Sequence, residues 1–150
     1  HRRIKKDDLV EFMKKYHLPL PSEWEVKKRK VLIIDDEPKI VSFCIRVLKK
    51  LAPPVEVETA EDGFTGGKKI STFQPDLVIL DLRLPGIDGY ELCRTIRADE
   101  RLKDIKILAI TAYDSPETRD KIIACGANAY LAKPFEIVEL MKSVQGLLSK

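Results

Sequence analysis

The chain has 150 residues, 44% hydrophobic and 34% charged, with seven Gly, nine Pro, three Cys and a net charge of +3. That is ordinary globular composition at a length that supports one core without metal or disulfide, and it excludes collagen-like, wholly disordered and disulfide-scaffold chains. The charge is uneven: residues 1–30 carry ten Lys/Arg against five Asp/Glu and the remainder seventeen against nineteen, so a basic arm leads a mildly acidic body, with nucleic acid the first partner class to consider for the arm.

The opening His1-Arg2-Arg3-Ile4-Lys5-Lys6 has no apolar stretch behind it and is not a secretory signal. No apolar run approaches the roughly 18 residues of a membrane span. Cys44, Cys93 and Cys125 lack metal or redox spacing and read as buried, reduced thiols of a cytoplasmic protein without membrane association. Asp7 to Tyr16 predicts a short helix: Leu9, Phe12/Met13 and Tyr16 share a face, and aspartates open it where the helix dipole favours anions. Pro19 and Pro21 end that segment, and a linker is expected over 19–30.

From Val31 the pattern becomes alternating strands and helices. Val31–Ile34 predicts a buried strand, Pro38–Leu51 a helix, Val55–Thr59 a strand, and Glu61–Phe73 a helix weakened by Gly63, Gly66 and Gly67. Leu77–Leu80 predicts a third strand, and Asp88 with Glu91 the capped start of a helix carrying Leu92, Cys93 and Ile96. Ile105–Ile110 predicts a fourth strand, and Ser115-Pro116-Glu117 opens a helix ending at Gly126. Ala129–Leu131 predicts the fifth strand, followed by a helix with Ile137, Leu140, Val144 and Leu147 on one face. Continuously apolar strands alternating with helices mean an α/β, doubly wound parallel sheet covered on both faces.

In such sheets the site lies outside the carboxyl ends of the strands, where strand order reverses. Asp35-Asp36-Glu37 follow the first strand, Asp81 the third, Thr111 ends the fourth, and Lys133-Pro134 follow the fifth. In the flavodoxin-like order the first and third strands are neighbours, which would gather Asp35, Asp36 and Asp81 in one cleft. Three carboxylates so placed need a counter-charge, and Mg²⁺ suits an oxygen set of this kind, with Mn²⁺ as the alternative. Singly, each residue has a plainer explanation: Asp36 or Glu37 as a helix cap, Lys133 as a surface lysine, Thr111 as a strand-end hydroxyl. Jointly they put three acids, a hydroxyl and an ammonium on one sheet edge.

Residues 31–150 resemble the receiver domain of two-component response regulators. The matching stretches are Val31–Pro38, Pro75–Gly89, Ile110-Thr111-Ala112 and Gly126–Phe135. The resemblance implies a flavodoxin-like (βα)5 fold of strand order 2-1-3-4-5. It implies that Asp81 accepts a phosphoryl group from a sensor histidine kinase or phosphotransfer protein. Asp36 would hold the metal directly and Asp35 partly through water, with Asp81 and the Arg83 carbonyl completing the protein ligands. Thr111, Ala112 and Lys133 would bind the phosphoryl group, and a cis Lys133–Pro134 bond would aim the lysine into the cleft. Tyr130 would turn inward as Thr111 moves, switching the face formed by the receiver's fourth helix, fifth strand and fifth helix, the family's surface for partners and homodimers. Arg83 stands where the family commonly has Met, and with Tyr113 it borders the cleft, so these two are expected to tune phosphate lifetime.

His1 to Phe12 resembles the end of an excisionase-type (MerR-like) winged helix-turn-helix domain. This implies three parts: 1–18 as the remnant of a DNA-binding domain, 19–30 as linker, and 31–150 as receiver. DNA contact would then come through a head lying ahead of His1, and the output would be transcriptional. The competing readings are a receiver-like scaffold that works without phosphate, and a Mg²⁺-dependent phosphohydrolase. The latter wants an acid two residues after its nucleophile, where this chain has Arg83, so no separate turnover activity is expected.

Overall fold

A computed structural model describes residues 5–19 and 28–149. Its elements are α1 (Lys6–Lys15), β1 (Arg29–Ile34), α2 (Pro38–Leu48), β2 (Val55–Ala60), α3 (Gly63–Phe73), β3 (Leu77–Asp81), α4 (Gly89–Ala98), β4 (Lys106–Thr111), α5 (Pro116–Cys125), β5 (Ala129–Ala132) and α6 (Ile137–Leu148). The five strands form one parallel sheet in the order β2-β1-β3-β4-β5. The fold is the expected α/β, doubly wound, flavodoxin-like one.

The apolar strands make sense once both faces are counted, because successive strand residues point to opposite sides. Val31, Ile33, Leu77, Ile79, Leu108 and Ile110 pack against Cys44, Val47 and Leu48 of α2 and Leu140 and Val144 of α6. Leu32, Ile34, Val78, Leu80 and Ile107 pack on the other side against Ile70 of α3, Leu92 and Ile96 of α4 and Cys125 of α5. Each fully buried Leu or Ile contributes roughly 2 kcal/mol through lost water contact, so neither face is dispensable.

Some boundaries differ from the sequence pattern, each for a local reason. β1 begins at Arg29 rather than Val31, because the Lys30 N–H donates to Asp76 Oδ2 at 2.8 Å and Arg29 pairs with Val55. Arg29 and Lys30 therefore belong to the sheet and not to the linker. α3 starts at Gly63, capped by Asp62, whose Oδ1 accepts from Thr65 N at 2.7 Å. Its glycine content reflects close packing: a Cβ on Gly66 would stand 2.6 Å from Ile34 Cδ1. α2 stops at Leu48, three residues short of Leu51. Asp88 caps α4 by accepting from Tyr90 N, while Ser115 and the left-handed Gly126 close the two ends of α5 as expected. α1 forms over Lys6–Lys15 with no buried residue. The expectations for His1–Ile4 and for 20–27 of the linker lie outside the described residues.

A carboxylate cleft at the carboxyl edge of the sheet

β1 and β3 are adjacent and parallel with Ile34 opposite Leu80, so the residues that follow them emerge side by side. Asp35 is fully buried, and its N–H continues the ladder to Ala60 O at 3.0 Å. Asp81 ends β3 and is 5% exposed. Asp36 is exposed on the loop into α2. The three carboxylates each offer an oxygen, all within 4.8 Å of one another.

Lys133 comes in from the far side of the reversal. Its N–H donates to the Thr111 carbonyl, extending the β4–β5 pairing, and the Lys133–Pro134 peptide is cis. Nζ then lies 2.9 Å from Glu37 Oε1, 3.0 Å from Asp35 Oδ2 and 3.4 Å from Asp81 Oδ2. Glu37 is the partner that the sequence pattern concealed. It sits at the N-cap of α2 but makes no cap hydrogen bond; its carboxylate goes to Lys133 instead.

The cleft is short of positive charge. Burial pushes the Asp81 carboxyl up to about 6, with the Asp35 charge adding to the rise; the Arg83 N–H at 3.1 Å and Lys133 pull the other way. Burial likewise raises Asp35, against the Glu37 N–H and Lys133. Burial disfavours the charged form of Lys133, but Glu37, Asp35 and Asp81 outweigh it and hold the ammonium protonated well beyond its ordinary range. One lysine is shared by three acids, Glu37, Asp35 and Asp81, with Asp36 a further carboxylate in the cluster, and buried Asp35 Oδ2 has that ion pair but no aligned hydrogen bond. A buried carboxylate oxygen whose one partner is a lysine shared among three acids, beside two more carboxylates, fits a hard divalent cation such as Mg²⁺.

The remaining expected residues divide into two groups. Thr111 is 3% exposed, and its Oγ1 accepts from Tyr113 N at 3.0 Å; it lines a hollow of about 190 Å³ with Leu82, Arg83, Tyr90 and Tyr113. The Arg83 guanidinium lies 3.8 Å over the Tyr113 ring, a stacked pair at the mouth of this hollow. Ala112 is exposed on the loop between Thr111 and Tyr113. Tyr130, half-buried opposite Ala109, packs against Leu82, Ala109 and Ile122, with Arg119 6.0 Å from its ring. Asp35, Asp36, Asp81 and Lys133 thus share one cluster, Thr111, Arg83 and Tyr113 border it, and Tyr130 lies one layer away under α5. Gly89 brings α4 close to this edge: a Cβ there would meet Asp81 O at 2.6 Å.

Known proteins resemble the chain over most of its length. The family model described as response regulator receiver domain matches residues 31–145. The DNA-binding dual master transcriptional regulator RpaA of Synechocystis is 38% identical over 121 residues, covering 81% of this chain and 49% of the relative. The alkaline phosphatase synthesis transcriptional regulatory protein PhoP of Bacillus subtilis is 36% identical over 124 residues, with the same coverages. The chain therefore spans about half the length of these curated relatives. Among solved structures, the signal receiver domain of the DNA binding response regulator protein merR from Colwellia psychrerythraea superposes with a TM-score of 0.77 at 28% identity, covering 82% of this chain and all of that one. The chemotaxis response regulator CheY4 of Vibrio cholerae gives 0.74 at 32% identity, covering 81% and 99%.

Proposed function

The chain belongs to the response regulator receiver family, and from that premise we propose that it is a phosphoacceptor whose acceptor is Asp81. The supporting observation is the cleft itself: a buried strand-end aspartate with two more carboxylates and one buried lysine. In the transfer an Asp81 oxygen attacks the phosphorus of a phosphohistidine on a sensor histidine kinase or phosphotransfer protein. The N–P bond breaks, its electron pair returns to the imidazole, and an acyl phosphate forms. Asp35, Asp36, Asp81 and the Arg83 carbonyl would hold Mg²⁺ (or Mn²⁺), which supplies counter-charge to the phosphoryl oxygens.

The chain's own groups do the rest. The Arg83 N–H fixes one Asp81 oxygen at 3.1 Å, leaving the other toward Lys133. Lys133 supplies a fixed positive charge to a phosphoryl oxygen, and the Thr111 hydroxyl can turn its proton to another. Drawing Thr111 toward the phosphoryl group loosens its turn with Tyr113 and the space beside Tyr130, which carries the change to α5, β5 and α6. This is a signalling domain and not a turnover enzyme. Its output would be transcriptional, as RpaA and PhoP are transcriptional regulators by name. Residues 1–18 would be the end of an excisionase/MerR-like DNA-binding domain, 19–28 the connector now that Arg29 and Lys30 lie in β1, and DNA contact would come through that domain. Homodimers would form through α5–β5–α6. Cytoplasmic placement accords with the kinase partner, and among the described residues no helix is long and apolar enough to cross a membrane.

The test is acetyl phosphate or beryllium fluoride with Mg²⁺, read by amide chemical shifts of wild type and Asp81→Asn. Wild type should respond around Thr111, Tyr130 and Lys133, and Asp81→Asn should not. A silent wild type would leave the phosphate-independent scaffold as the better reading.

A further inference from the structure

Lys133 has three carboxylates around its ammonium, and one of them stands apart from the other two. Asp35 and Asp81 belong, with Asp36, to the cluster suited to a cation; Glu37 does not. Yet Glu37 holds Nζ most closely, at 2.9 Å, against 3.0 Å for Asp35 and 3.4 Å for Asp81. The contact is prepared locally. Pro38 disfavours helical backbone at the residue before it, and Glu37 is accordingly extended, at φ −92° and ψ 109°. Its N–H donates to Asp35 Oδ1 at 2.8 Å, which ties the loop to the end of β1. Its carboxylate makes no cap hydrogen bond and reaches across the sheet edge to Lys133, 96 positions on. The plain explanation is a screened surface ion pair. The two partners are unequal, however. The Lys133 side chain is held in the cleft at 9% exposure, whereas that of Glu37 is 57% exposed. Glu37 is thus the one partner of Lys133 that can be released into water without stranding a buried carboxylate.

We propose that Glu37 is a positioning residue that holds the Lys133 ammonium until a phosphoryl group takes it, and so sets how readily the cleft accepts that group. A phosphoryl group on Asp81 and the Glu37 carboxylate are anions with one ammonium between them. Each weakens the other's hold on Nζ, and their like charges repel. With Asp35 and Asp81 committed to the cation proposed for them, Glu37 remains the only rival for Lys133 among its ion-pair partners. Water receives the Glu37 carboxylate when the contact opens. The exchange is therefore a change of partner for Lys133 and not a rearrangement of the fold. Its effect is to bias the chain toward the unphosphorylated form. That consequence rests on the phosphoacceptor reading; the Glu37–Lys133 contact does not.

The test compares wild type, Glu37→Gln and Glu61→Gln as folded full chains. Glu37 is more than half exposed and its side chain caps nothing, so Glu37→Gln should fold as wild type does. Glu61 borders Asp35 and Asp36 across a hollow of about 170 Å³ but is no partner of Lys133, which makes it the control for charge alone. The first readout is water exchange of the Lys133 ammonium hydrogens in EDTA, followed by heteronuclear NMR. Exchange should quicken about threefold in Glu37→Gln, the scale of a half-exposed ion pair, and stay unchanged in Glu61→Gln. The second is a beryllium fluoride titration at saturating Mg²⁺, read by amide shifts. Glu37→Gln should bind about threefold more tightly than wild type, and Glu61→Gln as wild type does. Equal or weaker binding by Glu37→Gln, the same gain in Glu61→Gln, or unchanged ammonium exchange would overturn the proposal. A wild type that ignores beryllium fluoride would overturn the phosphoacceptor reading, and the change of partner with it.

Discussion

Lys133 and Arg97 each tie distant segments together through one cationic head, on opposite terms. Lys133 faces only acids: Glu37, Asp35 and Asp81, all within 3.4 Å. Arg97, half-buried at the end of α4, faces no acid in its hydrogen bonds. Its guanidinium donates to the carbonyls of Lys103, Ile105 and Gly126 and to Asn128 Oδ1, which also accepts from Ile107 N. The Arg97 knot meets its partners with neutral acceptors and is closed. The Lys133 cleft leaves net negative charge, with one ammonium shared among three carboxylates. One arrangement fixes geometry; the other stays electrostatically incomplete, which suits the cation and phosphoryl group proposed for it.

If that contrast is right, the largest stability effect falls at the knot. Arg97→Ala strands two partly buried carbonyls, those of Ile105 and Gly126, and each orphaned group costs roughly 1–3 kcal/mol. Urea unfolding should show a loss of about 3 kcal/mol, with Mg²⁺ affinity unchanged. A loss under about 1 kcal/mol would mean that the knot is not closed. Lys133→Ala should behave differently. It leaves Asp35 and Asp81 facing each other without counter-charge, so the metal-free chain should lose about 2 kcal/mol at neutral pH. Mg²⁺ should restore most of that loss for Lys133→Ala and none of it for Arg97→Ala.

Proton linkage offers a test with no mutation. Asp35 and Asp81 both titrate above the usual carboxylate range, Asp81 at about 6, chiefly because burial disfavours their charge. The folded state therefore binds these protons more tightly than the unfolded chain. Their stabilisation is complete below the unfolded value of 3.8 and is lost as pH rises through about 6. In EDTA, thermal stability should fall by on the order of 1–2 kcal/mol between pH ~4 and ~7 once solvent screening is allowed for. Excess Mg²⁺ should remove the slope. The lowered carboxyls of Asp62, Asp99 and Asp114 act in the opposite sense and below that window. A midpoint that is flat in EDTA would contradict the charge deficit.

The same contrast explains what could be read along the chain. Asp35, Asp36, Asp81, Thr111 and Lys133 each follow or end a short apolar run, and parallel strands deliver such residues to one edge, so their positions carried the cluster. Both core faces followed from runs such as Leu77–Leu80, and the sheet order from the resemblance to receiver domains. Arg97 carried no signal: its acceptors are mostly main-chain carbonyls, which every residue has. Glu37 looked like a cap because helix starts favour acids, and only the approach of Lys133, 96 positions away, gave it another partner. Arg29 and Lys30 looked like linker because their strand pairing depends on Val55, Glu56 and Asp76, not on their own apolarity.

The smallest expected effect lies where the open cleft meets solvent. Arg83 and Tyr113 stack at 3.8 Å, yet Tyr113 is 54% exposed, so the contact is worth only about 0.5–1 kcal/mol. Stability should barely change in Arg83→Met. The stack stands beside Thr111, across a route by which water would reach an acyl phosphate on Asp81. Opening it should therefore speed phosphate release about threefold, the rate equivalent of that energy. Tyr113→Ala should match Arg83→Met, and the double variant should add little, because either change alone removes the stack. Release measured after acetyl phosphate loading decides this. Additive effects, or no effect from either variant, would make the stack an ordinary surface contact with no part in the proposed phosphate release.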